Sequence, residues 1–147
     1  LKFLKIIIKE FNYKIIITSP NADSYYKQII ELKLKFCKKN SNAIYIPHLG
    51  INNYYNLMKI SDIMIGNSSS GIIEAKKFDL PVLNCGNRQL GRYCGNNVIT
   101  SEIKLKKLIK NFNLLTSLKY KKKIKKNKNL YELKMNSKTL LKFIKKI

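Results

Sequence analysis

Gly66-Asn67-Ser68-Ser69-Ser70-Gly71-Ile72-Ile73-Glu74-Ala75 is the stretch on which the fold turns. Ile60 to Ile65, apolar apart from Ser61 and Asp62, runs into it. Ala75-Lys76-Lys77-Phe78 follows, ahead of Pro81, which cannot continue a helix. The pattern predicts a strand, a turn of small residues and a short helix. Such a turn sets backbone N–H groups and hydroxyls at a helix N-terminus. The N–H groups there lack intrahelical partners and carry partial positive charge, so they suit an anion such as phosphate.

Ser and Gly before a helix are also ordinary cap and turn residues. Three consecutive serines, Ser68 to Ser70, exceed what one cap needs. Glu74 falls about one turn inside the expected helix, close to the anion position. A carboxylate there repels phosphate unless it accepts hydrogen bonds from something attached to it. A ribose diol fits, as an acidic residue does in dinucleotide sites. The alternative is a capping arrangement in which Gly71 is the N-cap and Glu74 folds back on the first N–H groups.

Working outward, the same alternation repeats. Lys14 to Thr18 reads as a β-branched strand, ended by Ser19-Pro20-Asn21-Ala22-Asp23-Ser24, where Asp23 or Ser24 can cap the next helix. A helix is expected from Tyr25 to Lys39, with Ile29, Ile30, Leu32, Leu34 and Phe36 as its apolar material. A strand follows at Ala43 to Ile46, stopped by Pro47. After His48-Leu49-Gly50 a helix is expected over Asn52 to Ile60, with Tyr54, Leu57 and Met58 facing inward. The third strand, Asp62 to Ile65, feeds the serine turn. Pro81 to Asn84 is the fourth, followed by Cys85-Gly86-Asn87-Arg88-Gln89-Leu90-Gly91-Arg92. Asn97 to Ile99 is a short fifth.

Strands alternating with helices predict an α/β fold with a Rossmann-like parallel sheet and flanking helices. Ligands in such sheets bind at the carboxyl ends of the strands. Asn21 and Asp23, His48, Ser68 to Ser70 with Gly71, and Arg88 each follow a different strand, so separate loops point at one crevice. Residues 1–100 are expected to form the ligand-binding domain. Residues 101–147 hold sixteen lysines against two glutamates and read as two or three amphipathic helices packing on it, with Tyr120 to Asn129 as a basic linker. Residues 1–10 read as the end of a helix.

The bulk properties bound the function. At 147 residues and 45% hydrophobic, the chain is one domain's worth with a real core. It begins at Leu1, which suggests a piece of something longer. No apolar run reaches the ~20 residues that span a bilayer. Three cysteines, Cys37, Cys85 and Cys94, lack paired spacing, which argues for a reducing, cytoplasmic compartment and against a disulfide framework or a zinc site. The net charge of +22 raises nucleic acid or an anionic membrane as partners. The excess is nearly all lysine, and it accompanies abundant Ile and Asn, which share A/T-rich codons. Nucleic-acid readers add arginine and clustered aromatics. Arg88 and Arg92 are the only arginines, and both fall in one loop.

Three linked motifs carry a resemblance. They are Ser19 to Asp23, Gly66 to Ala75, and Pro81 to Arg92 with Asn96-Asn97-Val98-Ile99. In order and spacing, over residues 13 to 100, the chain resembles the hydrolysing UDP-N-acetylglucosamine 2-epimerases, which start the synthesis of sialic-acid-type sugars. Residues 101–147 match only as a generic helical tail.

The resemblance implies one half of a glycosyltransferase-B-type fold, two Rossmann-like domains with a UDP-sugar in the cleft between them. This chain looks like the second, UDP-binding domain, with the N-terminal domain as its missing partner. The resemblance places Ser68 and Ser69 on the diphosphate, Glu74 on the ribose hydroxyls and Arg88 beside the phosphates. It puts Asn21 in the same site and Leu49 against the uracil through its backbone. Asp23, His48, Ser70, Gly71, Gln89 and Arg92 belong to the surrounding loops. The implied reaction is anti elimination of UDP across C1–C2, giving a 2-acetamidoglucal, then addition of water to give N-acetylmannosamine. Removing the C2 proton needs general acid and base groups, and the family's catalytic carboxylates lie mostly in the first domain. The resemblance implies no cofactor and no metal, and allows a homo-oligomer in the intact enzyme. A modified diacetamido sugar fits the same UDP site. A basic nucleic-acid-binding module and a related nucleotide-sugar transferase are the alternatives.

Overall fold

The strands form where β-branched residues run between Pro, Gly and Asn. The computed structural model describes residues 1–19 and 25–125. Its order is α1 (Lys2–Phe11), β1 (Ile15–Ile17), α2 (Tyr26–Lys38), β2 (Ala43–Tyr45), α3 (Gly50–Ile60), β3 (Met64–Gly66), α4 (Ser69–Ile73), a 3-10 turn (Ala75–Phe78), β4 (Val82–Cys85), β5 (Val98–Ser101), α5 (Leu105–Thr116) and α6 (Leu118–Lys125). The alternation is α/β, and every strand pairing is parallel.

The ladder is split. β1 pairs with β2, with Ile16 opposite Ile44. β3, β4 and β5 form a separate sheet, with Ile65 opposite Leu83 and Leu83 opposite Ile99. Among the described residues no ladder joins β1 to β3. A cavity of about 130 Å³ lies there, bounded by Ile16 and Thr18 on one side and Ile63, Met64 and Ile65 on the other.

The main core is built on one face of the three-stranded sheet. Phe3 and Ile7 of α1, Leu83 of β4, and Leu108, Phe112 and Leu115 of α5 are buried together. Phe112 is the hub: the rings of Phe3, Phe11 and Tyr13 stand edge-on to it at 6.0, 5.2 and 5.5 Å. Offset and edge-on ring pairs of this kind add stability beyond their buried area. A second cluster, Met58, Ala75, Leu80 and Val82, seats α3 and the 3-10 turn against β4.

Three expectations are corrected. Leu118–Lys125, expected to open a basic linker at Tyr120, is a helix. Tyr120 and Ile124 lie one turn apart on one face. Ile124 is fully buried, and Tyr120 Oη donates to the carbonyl of Asn96 at 3.0 Å, so tertiary contacts outweigh the lysine run. In α2 only Phe36 is buried, whereas Ile29, Leu32 and Leu34 are exposed. α3 begins at Gly50, two residues before the expected start. The candidate caps Asp23 and Ser24, the rest of the expected linker and the later tail lie outside the described residues.

Candidate functional site

β3 ends at Gly66, and the chain turns through Asn67 and Ser68 into α4. The N-cap is Ser68, not Gly71: its backbone is extended, and its side chain accepts from the Ser70 N–H at 3.4 Å. α4 has five residues, so its axial dipole is small. Any attraction for an anion comes from local N–H groups and hydroxyls. Ser68 and Ser69 are exposed, Ser70 is half-buried and Gly71 is buried. Gly71 is small for a reason of packing. A Cβ placed there would sit 3.0 Å from Val82 Cγ1, so glycine lets α4 lie close on β4.

Glu74 does not fold back on the first turn. It is the C-cap of α4, and its Oε1 accepts from Tyr55 Oη at 3.4 Å. Its neighbour Tyr54 reaches the other end of the turn, where Tyr54 Oη and Ser70 Oγ share a hydrogen bond of 2.7 Å. Ser70 Oγ in turn lies 3.0 Å from Ser68 Oγ. Burial pushes the Tyr54 phenol above its usual value, with the Ser70 hydrogen bond pulling the other way. The phenol therefore keeps its proton through the neutral range.

The loop after β4 is drawn onto the same turn. Gly86, at φ +81°, swings the chain into Asn87–Arg92. Gln89 is buried, and its Nε2 donates to the carbonyl of Asn67 at 2.7 Å. Among the described residues its Oε1 has no hydrogen-bond partner, which leaves a buried acceptor beside the serine turn. Arg88 and Arg92 flank this anchor, both exposed at the carboxyl end of the sheet.

His48 and Leu49 are carried by the loop between β2 and α3. With Thr18, Pro47, Gly50, Ile51 and Tyr54 they line a cavity of about 320 Å³, in the size range of small-ligand pockets. Ser19 Oγ and Tyr45 Oη share a bond of 2.6 Å and so tie the ends of β1 and β2 beside it. Asn21 and Asp23 lie outside the described residues. Among the described residues no group of three or more His, Cys, Asp and Glu converges to hold a metal, and no helix is long and apolar enough to cross a membrane.

Side-chain hydrogen bonds thus link Ser68 to Ser70 and Ser70 to Tyr54, while Glu74 is held by Tyr55 and Gln89 is tied to the Asn67 carbonyl. His48 and Leu49 meet the same assembly through Tyr54. Tyr54 and Tyr55 were not among the candidate site residues. A half-buried tyrosine needs a partner for its hydroxyl, but the partner lies sixteen residues away for Tyr54 and nineteen for Tyr55. No local spacing identifies it.

Comparison with known proteins matches the chain to a family. The family model described as UDP-N-acetylglucosamine 2-epimerase matches residues 1–145. A GDP/UDP-N,N'-diacetylbacillosamine 2-epimerase (hydrolyzing) from Campylobacter jejuni is 43% identical over 107 residues, covering 69% of this chain and 28% of the relative. A UDP-N,N'-diacetylbacillosamine 2-epimerase (hydrolyzing) from Legionella pneumophila is 39% identical over 92 residues, covering 63% of this chain and 24% of the relative. A polysialic acid biosynthesis protein from Escherichia coli is 30% identical over 116 residues, covering 79% of this chain and 29% of the relative. The chain spans under a third of the length of each. The chain belongs to the UDP-N-acetylglucosamine 2-epimerase family.

Proposed function

We propose that this chain is the UDP-binding part of a hydrolysing UDP-sugar 2-epimerase, which converts UDP-N-acetylglucosamine or a diacetamido relative to the 2-epimeric free sugar and UDP. The observation that carries the reading is the hydrogen bond from Gln89 Nε2 to the Asn67 carbonyl. It ties to the serine turn the loop after β4 that carries the only two arginines of the sequence, Arg88 and Arg92, and β4 is the strand paired with β3. Cationic and hydroxyl donors then converge where a diphosphate would lie.

In this reading Ser68, Ser69 and Arg88 hold the diphosphate. Glu74, kept in place by Tyr55, accepts from the ribose hydroxyls, and Asn21 belongs to the same site. The cavity at His48 and Leu49 takes the uracil. The first chemical step removes the C2 proton of the sugar while the C1–oxygen bond breaks, and UDP departs with that electron pair. Donors preorganised on the diphosphate stabilise the charge that develops on it. Water then adds across the C1–C2 double bond of the 2-acetamidoglucal. The proton-transferring groups are assigned mostly to the N-terminal domain that the family resemblance implies; His48 is exposed at the cavity mouth with no partner acid among the described residues. Two relatives named for diacetylbacillosamine, at 43% and 39% identity, favour a diacetamido sugar. A cytoplasmic setting agrees with three unpaired cysteines.

The test is UDP affinity in variants. Ser68→Ala with Ser69→Ala should weaken UDP at least tenfold, and Glu74→Ala by about fivefold, for hydrogen bonds to charged groups of ~1–3 kcal/mol. Affinity left unchanged by the serine pair would remove the diphosphate assignment, and by Glu74→Ala the ribose assignment.

A further inference from the structure

Tyr54, Ser70 and Ser68 form a chain of three hydroxyls. Tyr54 Oη and Ser70 Oγ are 2.7 Å apart, and Ser70 Oγ and Ser68 Oγ are 3.0 Å apart. Each hydroxyl has one proton to donate. Two protons fill the two internal bonds, so one proton is left over, on Ser70 if its oxygen accepts from both neighbours and otherwise at one end of the chain. The direction decides which end that is. If Tyr54 donates to Ser70 and Ser70 to Ser68, the spare proton is on Ser68 and faces solvent. If the chain runs the other way, the Tyr54 proton is spare and lies half-buried at the wall of the apolar cavity.

Two features favour the first direction. Ser68 Oγ already accepts from the Ser70 N–H at 3.4 Å, so it faces Ser70 as an acceptor, and Ser68 is exposed, where its own proton can meet solvent or an anion. Tyr54 lines the cavity with Thr18, Pro47, His48, Leu49, Gly50 and Ile51, and its hydroxyl is already engaged by Ser70 at 2.7 Å, where the more acidic phenol is the better donor. An anion beyond Ser68 polarises all three hydroxyls the same way, and each bond strengthens the next.

We propose that Tyr54 is a positioning residue that sets the direction of this hydroxyl chain and thereby presents the Ser68 proton to the diphosphate. The proposal rests on the UDP-binding reading. It also couples the two ends of the ligand, because the residue that forms a wall of the base cavity is the one that orients the phosphate donor. Tyr54 acts through Ser70 and Ser68 and does not itself touch phosphate.

The experiment is a double-mutant cycle in UDP affinity on the 147-residue chain, comparing wild type, Tyr54→Phe, Ser70→Ala and the double variant. Thermal melting of each variant confirms that it is folded. Phenylalanine keeps the ring and the cavity wall and removes only the hydroxyl. UDP affinity should fall about fivefold in Tyr54→Phe, the worth of about one hydrogen bond. Adding Tyr54→Phe to Ser70→Ala should change nothing further, since the link is already broken. A tyrosine that merely packs would leave UDP affinity unmoved, and that result overturns the proposal while leaving the UDP reading intact. Additive losses overturn it equally, because Tyr54 then does not act through Ser70. A wild-type chain that does not bind UDP overturns both.

Discussion

The buried ammonium of Lys76 donates to the carbonyl oxygen of Ile124 at 2.7 Å, across forty-eight residues of sequence. The same ammonium pairs with Asp79. Lys76 stands two residues after Glu74, so its hydrogen bond to Ile124 pins the 3-10 turn that follows the candidate site to the helix α6, while the ion pair with Asp79 braces the turn itself. Asn96 Nδ2 adds a bond to the Lys123 carbonyl at 3.3 Å. Lys121 adds another to Asp62, the residue that leads into β3, at 2.7 Å. A lysine-rich helix is thereby fastened beneath the site.

Lys76→Met keeps the stem and removes the charge. It leaves the Asp79 carboxylate unpaired and the Ile124 carbonyl without its donor. Unfolding free energy should fall by about 2 kcal/mol, the cost of stranding a buried acceptor and a half-exposed carboxylate. Denaturant titration measures the loss. Hydrogen exchange should show the amides of α6 opening before those of β4. An unchanged midpoint would mean that α6 is held by Ile124 packing alone.

Gly71→Ala tests the close seat of α4 on β4. A Cβ at Gly71 meets Val82 Cγ1 at 3.0 Å and Met64 Sδ at 3.5 Å, and Val82 is itself buried. Alanine favours the helix, but crowding a packed core costs about 1–3 kcal/mol. The net loss should be about 1 kcal/mol, and larger for Gly71→Val. UDP affinity should fall along with stability, because lifting α4 moves Ser68 to Ser70. Stability that rises in Gly71→Ala would show that Val82 yields freely.

Stability should decline in alkali. Burial raises Cys37, Cys85, Tyr54 and Tyr120 above their usual values. Each is neutral when protonated, so the native state keeps these protons to a higher pH than the unfolded chain does. Their contribution is fully present below the ordinary thiol and phenol values. It is lost as pH rises through the native ones. Lys33, lowered by burial, works the other way: the native state sheds its proton first and gains relative stability as pH rises. Four groups oppose one, so denaturation midpoints should fall from about pH 9 upward, near the ordinary thiol value. Cys85→Ala should flatten the part near pH 9, and Tyr120→Phe the part above about pH 10, near the ordinary phenol value. A midpoint that holds steady to pH 11 would contradict the direction of these shifts.

Much of the fold is legible because β-branched runs are bounded by residues that cannot extend them. Ile15-Ile16-Ile17, Val82-Leu83 and Val98-Ile99 announce strands on propensity alone, and Pro47, Gly66 and Pro81 punctuate them. The serine turn is legible for the same reason. The split between β1 and β3 is not, since strand pairing is a tertiary matter that no local pattern records, and α3 residues Tyr54, Leu57 and Met58 line the cavity between the two sheets. Nor is α6, where a single buried Ile124 outweighs the lysines around it. Within the candidate site, Ser68, Ser70 and Glu74 stand out by residue type, and Gln89 enters only through the family resemblance. What holds them is not, because Tyr54 and Tyr55 reach their partners across a strand and a turn.

Calorimetric titration of the chain with UDP, at low and at high salt, tests the central claim most directly. The account predicts saturable one-to-one binding, weak because an isolated half of a cleft leaves one side of the ligand in water, and little changed by salt. Binding that vanishes as salt rises would mark counterion release by the +22 chain. That result, or no binding at all, would contradict the assignment of a UDP site to the serine turn.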